Sequence, residues 1–537
     1  MTDHHEFWAD DIADQILATD PDEPIVIKGG ISPSGVPHLG NANEIVLGYF
    51  VAEVLRERGY DVRHVFTTDD RDPLRKLPRT LANLQGELVD LGDVDAGVLG
   101  RNLGHPYTAI PDPFGCCESY GAHFTELIAD IATQLDIPLE VLSTTTLYEE
   151  GRFETAVAHL LEQQETARRV LEPHQRKVDA TYVPFNPICT SCGKITETVT
   201  GVNPEDRTVS YTCTDITAGD RTIDGCGHEG TVDYRGGKLP WRFEWVAQWK
   251  ELGVDFEPFG KDHAEGSWPS GVDIAESIFS IDPPVPMVYE WFTLEDRAFS
   301  SSEGHVIMVS DVLTLIEPEV LRFFFSKDPS RARDFSIEHL DQLVDEFDRF
   351  EEIYFNERPA VDDAEQSRVS RIYPFLVADP DPDRLRIPYR FAAVLGMTDD
   401  TEQWERIARN EGHIPENASA AQVERALERV TRARRWAQRT DNQYNYRLHR
   451  DEVPAVEIDA SLDQALTDIA NVVEDGATGD DIQSAVFTAA RSYDLSPGMV
   501  FSTCYELFLG RTDGPKLGPF LANLDRDFVV DRLRRRR

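Results

Sequence analysis

The stretch of sequence that decides the fold is Pro24-Ile-Val-Ile-Lys28-Gly-Gly-Ile-Ser32-Pro-Ser-Gly-Val-Pro-His38-Leu-Gly-Asn41. The apolar run 24–28 predicts a β-strand, and the Gly-, Pro- and Ser-rich segment after it predicts a loop. Apolar side chains then recur at helical spacing over residues 42–58, Gly59 ends that helix, and residues 62–67 predict the next strand. The result is a β-α-β unit whose loop follows the first strand, where nucleotide-binding folds hold their ligands.

His38 and Asn41 stand at the start of the predicted helix. Free backbone N–H groups and the helix dipole favour a phosphate there, and an imidazole adds a further hydrogen-bond donor. The loop has neither the P-loop lysine nor the G-x-G-x-x-G pattern, so those two nucleotide-binding schemes are excluded. The alternative for His38 is a structural histidine whose hydrogen bonds are satisfied within the fold.

The composition indicates a globular and very acidic protein. The 537 residues carry 97 Asp and Glu against 53 Lys and Arg, a formal charge of −44, and nine of the 53 cations are lysines. At molar salt, where the Debye length is about 3 Å, such a charge keeps a protein hydrated with little self-repulsion. We therefore expect a halophilic protein, because a mesophilic acidic protein would more often carry its charge in blocks.

Length and hydropathy bound the class of protein further. The length predicts three or four domains with buried cores. No apolar run approaches the ~20 residues of a membrane span, and the start, Met1-Thr-Asp-His-His-Glu6, is neither basic nor apolar. We expect a cytoplasmic protein without membrane contact and, as the default, a monomer.

The seven cysteines of a chain expected to be cytoplasmic point to metal rather than to disulfides. Cys189-Thr-Ser-Cys192-Gly has the spacing of a zinc knuckle, and Cys213 and Cys226-Gly-His228 follow. Two such arms joined by short strands predict a zinc ribbon. Four thiolates complete a tetrahedral site, with His228 as the substitute if Cys213 or Cys226 is not a ligand. The alternative, reduced cysteines in a core, fits poorly with the polar, turn-forming flanks.

A second cluster is Asp112-Pro-Phe-Gly-Cys116-Cys117-Glu-Ser-Tyr-Gly-Ala-His123. Cys117 and His123 are predicted to lie on neighbouring faces of a helix, and Asp112 and Cys116 could close a metal site from the preceding loop. The alternative is that the adjacent cysteines are small buried hydrophobic residues.

Two pieces of the opening loop, Ser32-Pro33-Ser34-Gly35 and His38-Leu39-Gly40-Asn41, resemble the HIGH signature of class I aminoacyl-tRNA synthetases. Their particular form is similar to the archaeal type of class I lysyl-tRNA synthetase. Further stretches resemble the same family, in the same order, along essentially the whole chain. They include residues 69–72, 111–120, 241–249, 253–263 and 514–520. The resemblance implies ATP, Mg²⁺ and Zn²⁺ as cofactors, and L-lysine and tRNA(Lys) as substrates.

The resemblance also assigns roles to individual residues. ATP contacts are implied for Pro33, Ser34, Gly35, His38, Gly40, Asn41 and Arg297, with His38 and Asn41 catalytic on the phosphates. Lysine binding is implied for Gly30, Ser32, Trp245 and His263. A pocket for the substrate ammonium also needs carboxylate and aromatic neighbours, for which Asp69, Glu118 and Tyr120 are candidates unless the acidic ones are solvated surface residues. One family zinc site is matched by Asp112, Cys116, Cys117 and His123, and a second by the ribbon.

The second signature of the family, a KMSKS-like loop, is altered here. It is Arg297-Ala298-Phe299-Ser300-Ser301-Ser302-Glu303, so Ala298 and Glu303 stand where the family has lysines. Those lysines stabilise charge on the triphosphate, which is typically worth ~3 kcal/mol per donor. The three serines, Ser300, Ser301 and Ser302, are retained as catalytic candidates. Arg297, molar potassium or additional Mg²⁺ can compensate; otherwise the enzyme is slow or inactive.

For so acidic a protein to bind RNA, some part of its surface must carry a local excess of positive charge. Between residues 425 and 450 there are eight arginines against two acidic residues, with aromatic residues interleaved. Arginines for phosphates and aromatic rings for stacked bases predict contact with unpaired RNA such as an anticodon loop. The predicted contact residues are Arg432, Arg435, Trp436, Arg439 and Tyr446. The alternative is a helical face whose arginines pair with acidic neighbours.

The predicted fold is α/β, with three domains. A Rossmann-like parallel-sheet catalytic domain takes residues 1–100 and 240–330, a zinc-binding insertion facing the tRNA acceptor end takes 101–239, and an α-helical anticodon-binding domain takes 331–537. The expected activity is that of a lysine–tRNA ligase, which activates lysine as its adenylate and transfers it to tRNA in translation. Two alternatives stay open: a class I synthetase for another amino acid, and a catalytically silent zinc-ribbon protein that binds RNA, suggested by Ala298 and Glu303.

Overall fold

The computed structural model of the protein describes residues 5–175, 178–218, 221–299 and 305–535. The chain forms two compact units. The first comprises Met1–Val312, Pro318–Ser336 and Phe350–Asp379, and the second Leu313–Glu317, Ile337–Arg349 and Pro380–Arg537. Within the described ranges, no helix combines the length and the apolar character needed to cross a membrane.

The first unit alternates strands and helices. Its strands are β1 (Ile25–Ile31), β2 (Val62–Thr68), β3 (Thr80–Ala82), β4 (Leu88–Asp90), β5 (Glu140–Ser143), β6 (Asn186–Pro187), β7 (Val199–Asn203), β8 (Thr208–Thr212), β9 (Ile216–Ala218), β10 (Arg221–Ile223), β11 (Glu229–Asp233), β12 (Gly237–Lys238), β13 (Val254–Gly260), β14 (Val285–Tyr289), β15 (Phe292–Leu294) and β16 (Arg333–Phe335). Its helices are α1 (Trp8–Leu17), α2 (Ala42–Glu57), α3 (Ala96–Arg101), α4 (Tyr120–Gln134), α5 (Thr144–Glu149), α6 (Glu154–Glu162), α7 (Gln164–Leu171), α8 (Trp241–Leu252), α9 (Lys261–Glu265), α10 (Trp268–Ile274), α11 (Val309–Leu313), α12 (Pro318–Ser326) and α14 (Asp363–Leu376). Helix α13 (Leu340–Tyr354) has its first ten residues in the second unit and the rest in the first.

A five-stranded parallel sheet forms the centre of this unit, in the order β14-β13-β1-β2-β5. The predicted β-α-β unit is confirmed as β1, α2 and β2, with Ile25 paired to Val62 and Ile31 to Thr68. The sheet also takes β5 from inside the stretch 101–239 that was expected to be an insertion. This strand has four residues, none of them fully buried, so it is too short to show a periodic pattern.

Helix α2 lies tightly against one face of β1 and β2. A Cβ atom at Gly48 would come within 2.6 Å of His64 Nε2, and one at Gly29 within 3.0 Å of the Phe66 ring. Twelve of the sixteen residues of α2 are buried. Since α2 is held so closely, its N-terminus has a fixed position at the carboxyl end of β1.

The strand order reverses at β1, because β2 lies on one side of it and β13 on the other. In open parallel sheets a ligand binds in the crevice outside the carboxyl ends of the strands at such a point. Ser32 follows β1 and His263 follows β13, so the topology brings two predicted site residues to the same crevice.

The cysteine-bearing part of the first unit is built from short antiparallel strands. Strands β7, β8 and β11 form one sheet, β9 and β10 form a hairpin, and β6 pairs with β12. The pairing of β6 with β12 closes this segment at its base, next to the start of α8.

The second unit is helical. Its helices are α15 (Tyr389–Leu395), α16 (Thr401–Asn410), α17 (Ala420–Thr440), α18 (Ala460–Glu474), α19 (Gly479–Ser492), α20 (Pro497–Leu509), α21 (Leu517–Asn523) and α22 (Arg526–Leu533). A core that includes Leu466, Val486, Cys504 and Phe508 is fully buried among α18 to α22.

A buried ion cluster lies at α17 in this unit. The Arg429 guanidinium donates to Glu317 at 2.6 Å and to both oxygens of Asp348 at 2.6 and 2.9 Å. Its side chain is 2% exposed. A buried guanidinium in contact with two carboxylates has its charge compensated in place, and loss of one partner leaves the others uncompensated.

We predict that Arg429→Ala lowers the free energy of unfolding by about 3–5 kcal/mol, because Glu317 and Asp348 would stay buried without their cation. Denaturant unfolding in molar KCl measures the change. The matched control is Arg425→Ala on the same helix, where an exposed guanidinium lies 3.7 Å from Asp381; we expect at most about 1 kcal/mol there. Equal losses in the two variants would contradict the assignment.

Candidate active site and metal centres

The loop after β1 ends in one turn of 3-10 helix, Leu39–Asn41, that leads into α2. The backbone N–H of His38 donates to the Asn41 side chain at 2.9 Å, and the N–H of Leu39 donates to the carbonyl of Ile307 at 2.7 Å. The loop is therefore tied both to its own helix and to the segment that follows the second signature loop.

The imidazole of His38, at the start of this helix, is largely shielded from solvent. Its ring stacks on Phe299, with centroids 4.9 Å apart and planes at 12°. Burial lowers the pKa of His38 to about 4, so the imidazole is neutral at neutral pH. Its Nδ1 atom is out of solvent contact and has no hydrogen-bond partner within the described part of the chain. A buried polar atom without a partner at a helix N-terminus is suited to receive a ligand.

The other face of the sheet, under α8, carries a buried ion pair. Lys28 on β1 donates to Glu257 on β13 at 2.7 Å. The indole N–H groups of Trp245 and Trp249 on α8 donate to the same carboxylate, at 3.0 and 2.5 Å. The Glu257 carboxylate thus accepts three hydrogen bonds from side chains of the protein itself.

A second buried lysine lies beside the first. Lys238 donates to Asp72 and, at 3.1 Å, to Glu244. The Ser32 hydroxyl donates to the other oxygen of Asp72 at 2.8 Å. The predicted residue Ser32 is therefore held in place through Asp72 at the carboxyl end of β1. We call the Lys28 and Lys238 clusters together the charged floor.

Asp69 is a buried carboxylate of a different kind. Its Oδ1 accepts from the Gln248 amide at 3.1 Å, and no lysine or arginine in the described ranges lies within ion-pair distance of it. Burial, together with the nearby charge of Asp72, raises the pKa of Asp69 to about 6. The Thr67 hydroxyl donates to the Gln248 side-chain oxygen at 3.2 Å and so orients its amide. Gly30 packs closely against Thr67, because a Cβ atom at Gly30 would lie 2.4 Å from that hydroxyl.

Aromatic rings adjoin the charged floor. Trp241 stacks on His263 with centroids 5.4 Å apart at 19°, and Trp245 lies 5.9 Å from the same imidazole. His263 keeps 35% of its side chain exposed. The predicted residues Trp245 and His263 are thus brought together, with Trp241 between them and the open cleft.

A cleft of about 1690 Å³ opens in front of these elements. The predicted site residues that line it are Ser32, Ser34, Gly35, His38 and Asn41. Pro33 is buried behind them, and Gly40 allows the His38 ring to approach, because a Cβ there would lie 2.9 Å from Nδ1.

Glu118 and Tyr120, also predicted for the ammonium pocket, do not line the cleft, and neither do the predicted lysine-binding residues Gly30, Asp69, Trp245 and His263. Tyr120 is fully buried and its hydroxyl donates to the carbonyl of Ser34 at 2.8 Å, so it supports the loop, while Glu118 is exposed. The prediction placed them by their closeness to a matched motif, and such closeness does not report the direction of a side chain.

The cluster of Asp112, Cys116, Cys117 and His123 is assembled. Cys116 Sγ lies 3.3 Å from His123 Nδ1, 3.3 Å from Asp112 and 3.8 Å from Cys117 Sγ. His123 Nε2 is 2.8 Å from the carbonyl of Ala82, which fixes Nδ1 as the nitrogen that faces the cluster. Backbone N–H groups of both cysteines donate to Asp112 and keep it in place. The four ligand atoms could hold one metal ion.

The ribbon cysteines are also assembled. Cys189 Sγ is 3.7 Å from Cys226 Sγ, Cys192 Sγ is 3.7 Å from Cys213 Sγ, and all four sulfur atoms lie within 4.8 Å of one another. The insertion between Cys213 and Cys226 forms the β9–β10 hairpin and leaves the two sulfurs close together. Burial acts to raise the pKa of the Cys189 thiol. Hydrogen bonds from the backbone N–H groups of Cys192 and Ser191 outweigh it and lower the pKa to about 6.

His228, the substitute ligand, is outside this group. Its Nε2 atom lies 3.3 Å from the Thr190 hydroxyl, and its ring meets Tyr211 edge-on at 6.3 Å. Gly193 and Gly227 adopt positive φ angles of 76° and 72°, which form the tight turns that direct the four cysteines inward.

The arginine-rich segment on α17 is mostly paired with carboxylates. Besides the buried Arg429, the ion pairs are Arg425 with Asp381, Arg432 with Glu428 and Arg434 with Asp399. Trp436 is buried and its indole N–H donates to the carbonyl of Ile337 at 2.7 Å, so it cannot stack on a base. Arg435 and Arg439 are exposed, with no carboxylate at ion-pair distance among the described residues, and Tyr446 is half-buried under Arg511.

The predicted catalytic serines Ser300, Ser301 and Ser302 lie outside the described residues. Arg297, at the edge of that loop, is exposed. The next described residue, His305, places its Nε2 atom 2.8 Å from the carbonyl of Leu294.

Several site residues were missed by the sequence analysis: Lys28, Lys238, Gln248, Glu257, Trp241 and Phe299. Lys28 was visible as a charge at the end of an apolar strand, and a buried charge needs a partner. The partner, Glu257, lies 229 positions away, so the pairing required the topology of the sheet.

Known proteins are similar to this chain over nearly its whole length. The family described as "tRNA synthetases class I (K)" matches residues 6–376. A lysine–tRNA ligase of Halobacterium salinarum is 62% identical over 530 residues, 98% of this chain and 97% of the relative, and one of Haloarcula marismortui is 58% identical with the same coverage. A solved glutamate tRNA ligase structure from Elizabethkingia meningosepticum has 10% identity and a TM-score of 0.41 over 96% of this chain and 99% of that chain. On the family match and the relatives' identity, the chain belongs to the class I lysine–tRNA ligase family.

Proposed function

We propose that this protein joins L-lysine to tRNA(Lys) in two steps at the cleft of its first unit. The lysine carboxylate attacks the α-phosphate of ATP, which arrives with Mg²⁺, and pyrophosphate leaves. The terminal ribose hydroxyl of the tRNA then takes the aminoacyl group from the adenylate, and AMP leaves. The observation that carries the proposal is that a neutral histidine at a helix N-terminus lines the cleft, while a buried carboxylate without a cation, Asp69, lies next to Asp72 and Lys238, which line the same cleft.

The ATP phosphates are assigned to the start of α2. The neutral imidazole of His38 and the side-chain amide of Asn41, at the positive end of the helix dipole, form a group of donors that needs no reorganisation. The reaction needs positioning and charge stabilisation rather than a covalent intermediate on the protein. Arg297 and the serines 300–302 belong to the same ATP site in this proposal.

The ammonium of the substrate lysine is assigned to Asp69. Glu257 has Lys28 at ion-pair distance, and Asp72 and Glu244 both have Lys238, so each of these carboxylates already has a cation of the chain beside it. Asp69 has an amide partner but no cation. A lysine substrate would supply the missing charge, with the ring of Trp245 beside it.

We assign Zn²⁺ to both cysteine clusters. Tetrahedral zinc with Zn–S bonds of about 2.3 Å places its sulfur ligands about 3.8 Å apart. The sulfur pairs of the ribbon are 3.7 Å apart, and the pair Cys116 and Cys117 is 3.8 Å apart. Both sites are closed by four protein ligands, so the role is structural. The segment 101–239, which contains both, is assigned to the acceptor end of the tRNA, and the helices after residue 331 to the anticodon with Arg435 and Arg439 as contacts.

Pyrophosphate–ATP exchange in molar KCl with Mg²⁺ should occur with lysine and with no other amino acid, first without tRNA and then with it. His38→Ala should reduce exchange by about 10²–10³-fold, because a preorganised donor to the phosphates is lost; His38→Gln, which keeps a donor, should lose less. Exchange with another amino acid contradicts the pocket assignment. No exchange under either condition, with RNA still bound, supports the silent RNA-binding protein that Ala298 and Glu303 suggest.

The Asp69 assignment predicts a pH dependence. The carboxylate must be ionised to bind an ammonium, and its pKa is raised to about 6, so it becomes protonated as the pH falls from 7 to 5. Between pH 7 and pH 5 the KM for lysine should rise about tenfold. Asp69→Asn should raise the KM and remove this pH dependence, while Asp70→Asn, where the carboxylate accepts from the N–H of Thr145, should retain it. An unchanged pH profile in Asp69→Asn contradicts the assignment.

The metal assignment predicts about two zinc ions per chain by elemental analysis. Cys226→Ser should lose about one, because a closed tetrahedral site does not tolerate the loss of a thiolate. His228→Ala should keep both, and so should Cys504→Ser, whose thiol is buried in the core of the second unit. Equal metal content in Cys226→Ser and Cys504→Ser would contradict the ribbon site.

A further inference from the structure

The cleft reverses the charge ratio of the chain. Among the described residues that line it there are six cations and three carboxylates, whereas the whole chain has 53 cations and 97 carboxylates. Two of the six cations are used within the fold, since Lys238 belongs to the charged floor and Arg242 donates to the carbonyl of Gly266 and to Ser270. The four that remain are exposed: Arg75, Lys76, Arg79 and Arg221.

Three of these four cations lie on one loop between β2 and β3. No carboxylate in the described ranges lies within ion-pair distance of Arg75, Lys76 or Arg79. On α17, by contrast, four of the six arginines lie within ion-pair distance of a carboxylate. Cations left exposed and unpaired beside a cleft, in a chain with so many carboxylates, indicate an anionic ligand outside the chain.

The loop is anchored, so its cations have a defined place. Leu74 is 1% exposed in the core below, its N–H donates to the carbonyl of His105 at 2.9 Å, and its carbonyl accepts from Gly104 at 2.8 Å. Pro73 and Pro106 form an isolated bridge beside it. An anchored loop loses little conformational entropy when a ligand binds.

The size of the cleft points to a ligand larger than ATP and lysine. Pockets for small molecules are typically about 300–1,000 Å³, and this cleft is about 1690 Å³. Its lining continues from the β2–β3 loop to the cysteine-bearing segment, where it includes Thr198, Val199 and Arg221. A triphosphate is compact and is assigned to the start of α2, whereas cations divided between two segments suit a chain of phosphates.

Building on the proposed function, we infer that Arg75, Lys76 and Arg79, with Arg221 from β10, bind the backbone phosphates of the single-stranded acceptor end of the tRNA. Contacts of this kind position an RNA strand without reading its sequence. They would guide the terminal ribose toward the adenylate at β1, and they place the main phosphate contact of the first unit on a loop that the sequence analysis did not single out.

The test is the full-length triple variant R75Q/K76Q/R79Q, compared with R101Q/R169Q/K250Q. The control removes the same charge from exposed cations of the first unit that do not line the cleft. In the test variant, lysine-dependent pyrophosphate–ATP exchange without tRNA should stay within about twofold of the parent, while the KM for tRNA rises at least about tenfold. The slope of log affinity for tRNA against log salt should fall by about 2, since single-stranded contacts release about 0.7 counterions each.

Three results would overturn the inference. If exchange without tRNA falls along with aminoacylation, the loop serves the triphosphate. If the control variant raises the KM for tRNA as much, only general electrostatics is at work. If neither variant changes the KM or the salt slope, the loop does not contact RNA. Direct tRNA binding, measured in molar KCl, gives the same comparison even if the parent protein shows no lysine-dependent exchange, so failure of the proposed function is distinguishable from failure of this inference.

Discussion

The buried pair of Lys28 and Glu257 joins the two strands between which the strand order reverses. Each strand carries a charge that could not stay buried alone, so β1 and β13 must be neighbours for either to be stable. The indole N–H groups of Trp245 and Trp249 complete the hydrogen bonding and place α8 over the same face. The position of the crevice, the aromatic rings and Asp69 all follow from that one contact.

The chain handles its acidic composition in two ways. Inside the fold, Lys28, Lys238 and Arg429 form ion pairs with buried carboxylates, whereas Asp69 has only an amide partner. On α17, four of the six arginines pair with carboxylates, so an arginine-rich segment does not by itself mark an RNA site. What distinguishes the cleft is a group of exposed cations without carboxylate partners among its lining residues, and the structure is needed to find it.

The central β-α-β unit and the grouping of both cysteine clusters could be predicted from the sequence, because local periodicity and knuckle spacing are short-range signals. The set of four ribbon cysteines could not be chosen over His228 until the hairpin between Cys213 and Cys226 was seen. The direction of the Trp436 side chain was likewise not predictable from its neighbours in sequence, which are arginines, because its indole is buried in the core. The roles of Glu257 and Gln248 could not be predicted from the sequence, because their partners, Lys28 and Asp69, are distant in sequence.

The backbone bond from Leu39 to Ile307 has a consequence for biosynthesis. During translation the loop with His38 leaves the ribosome very early, long before the segment that contains Ile307 has been made. The Phe299 ring that covers the imidazole is also made more than 250 residues later. A nascent chain therefore carries the histidine but not its dry, ordered surroundings, and the site acquires its final geometry only after more than half of the polypeptide has been synthesised.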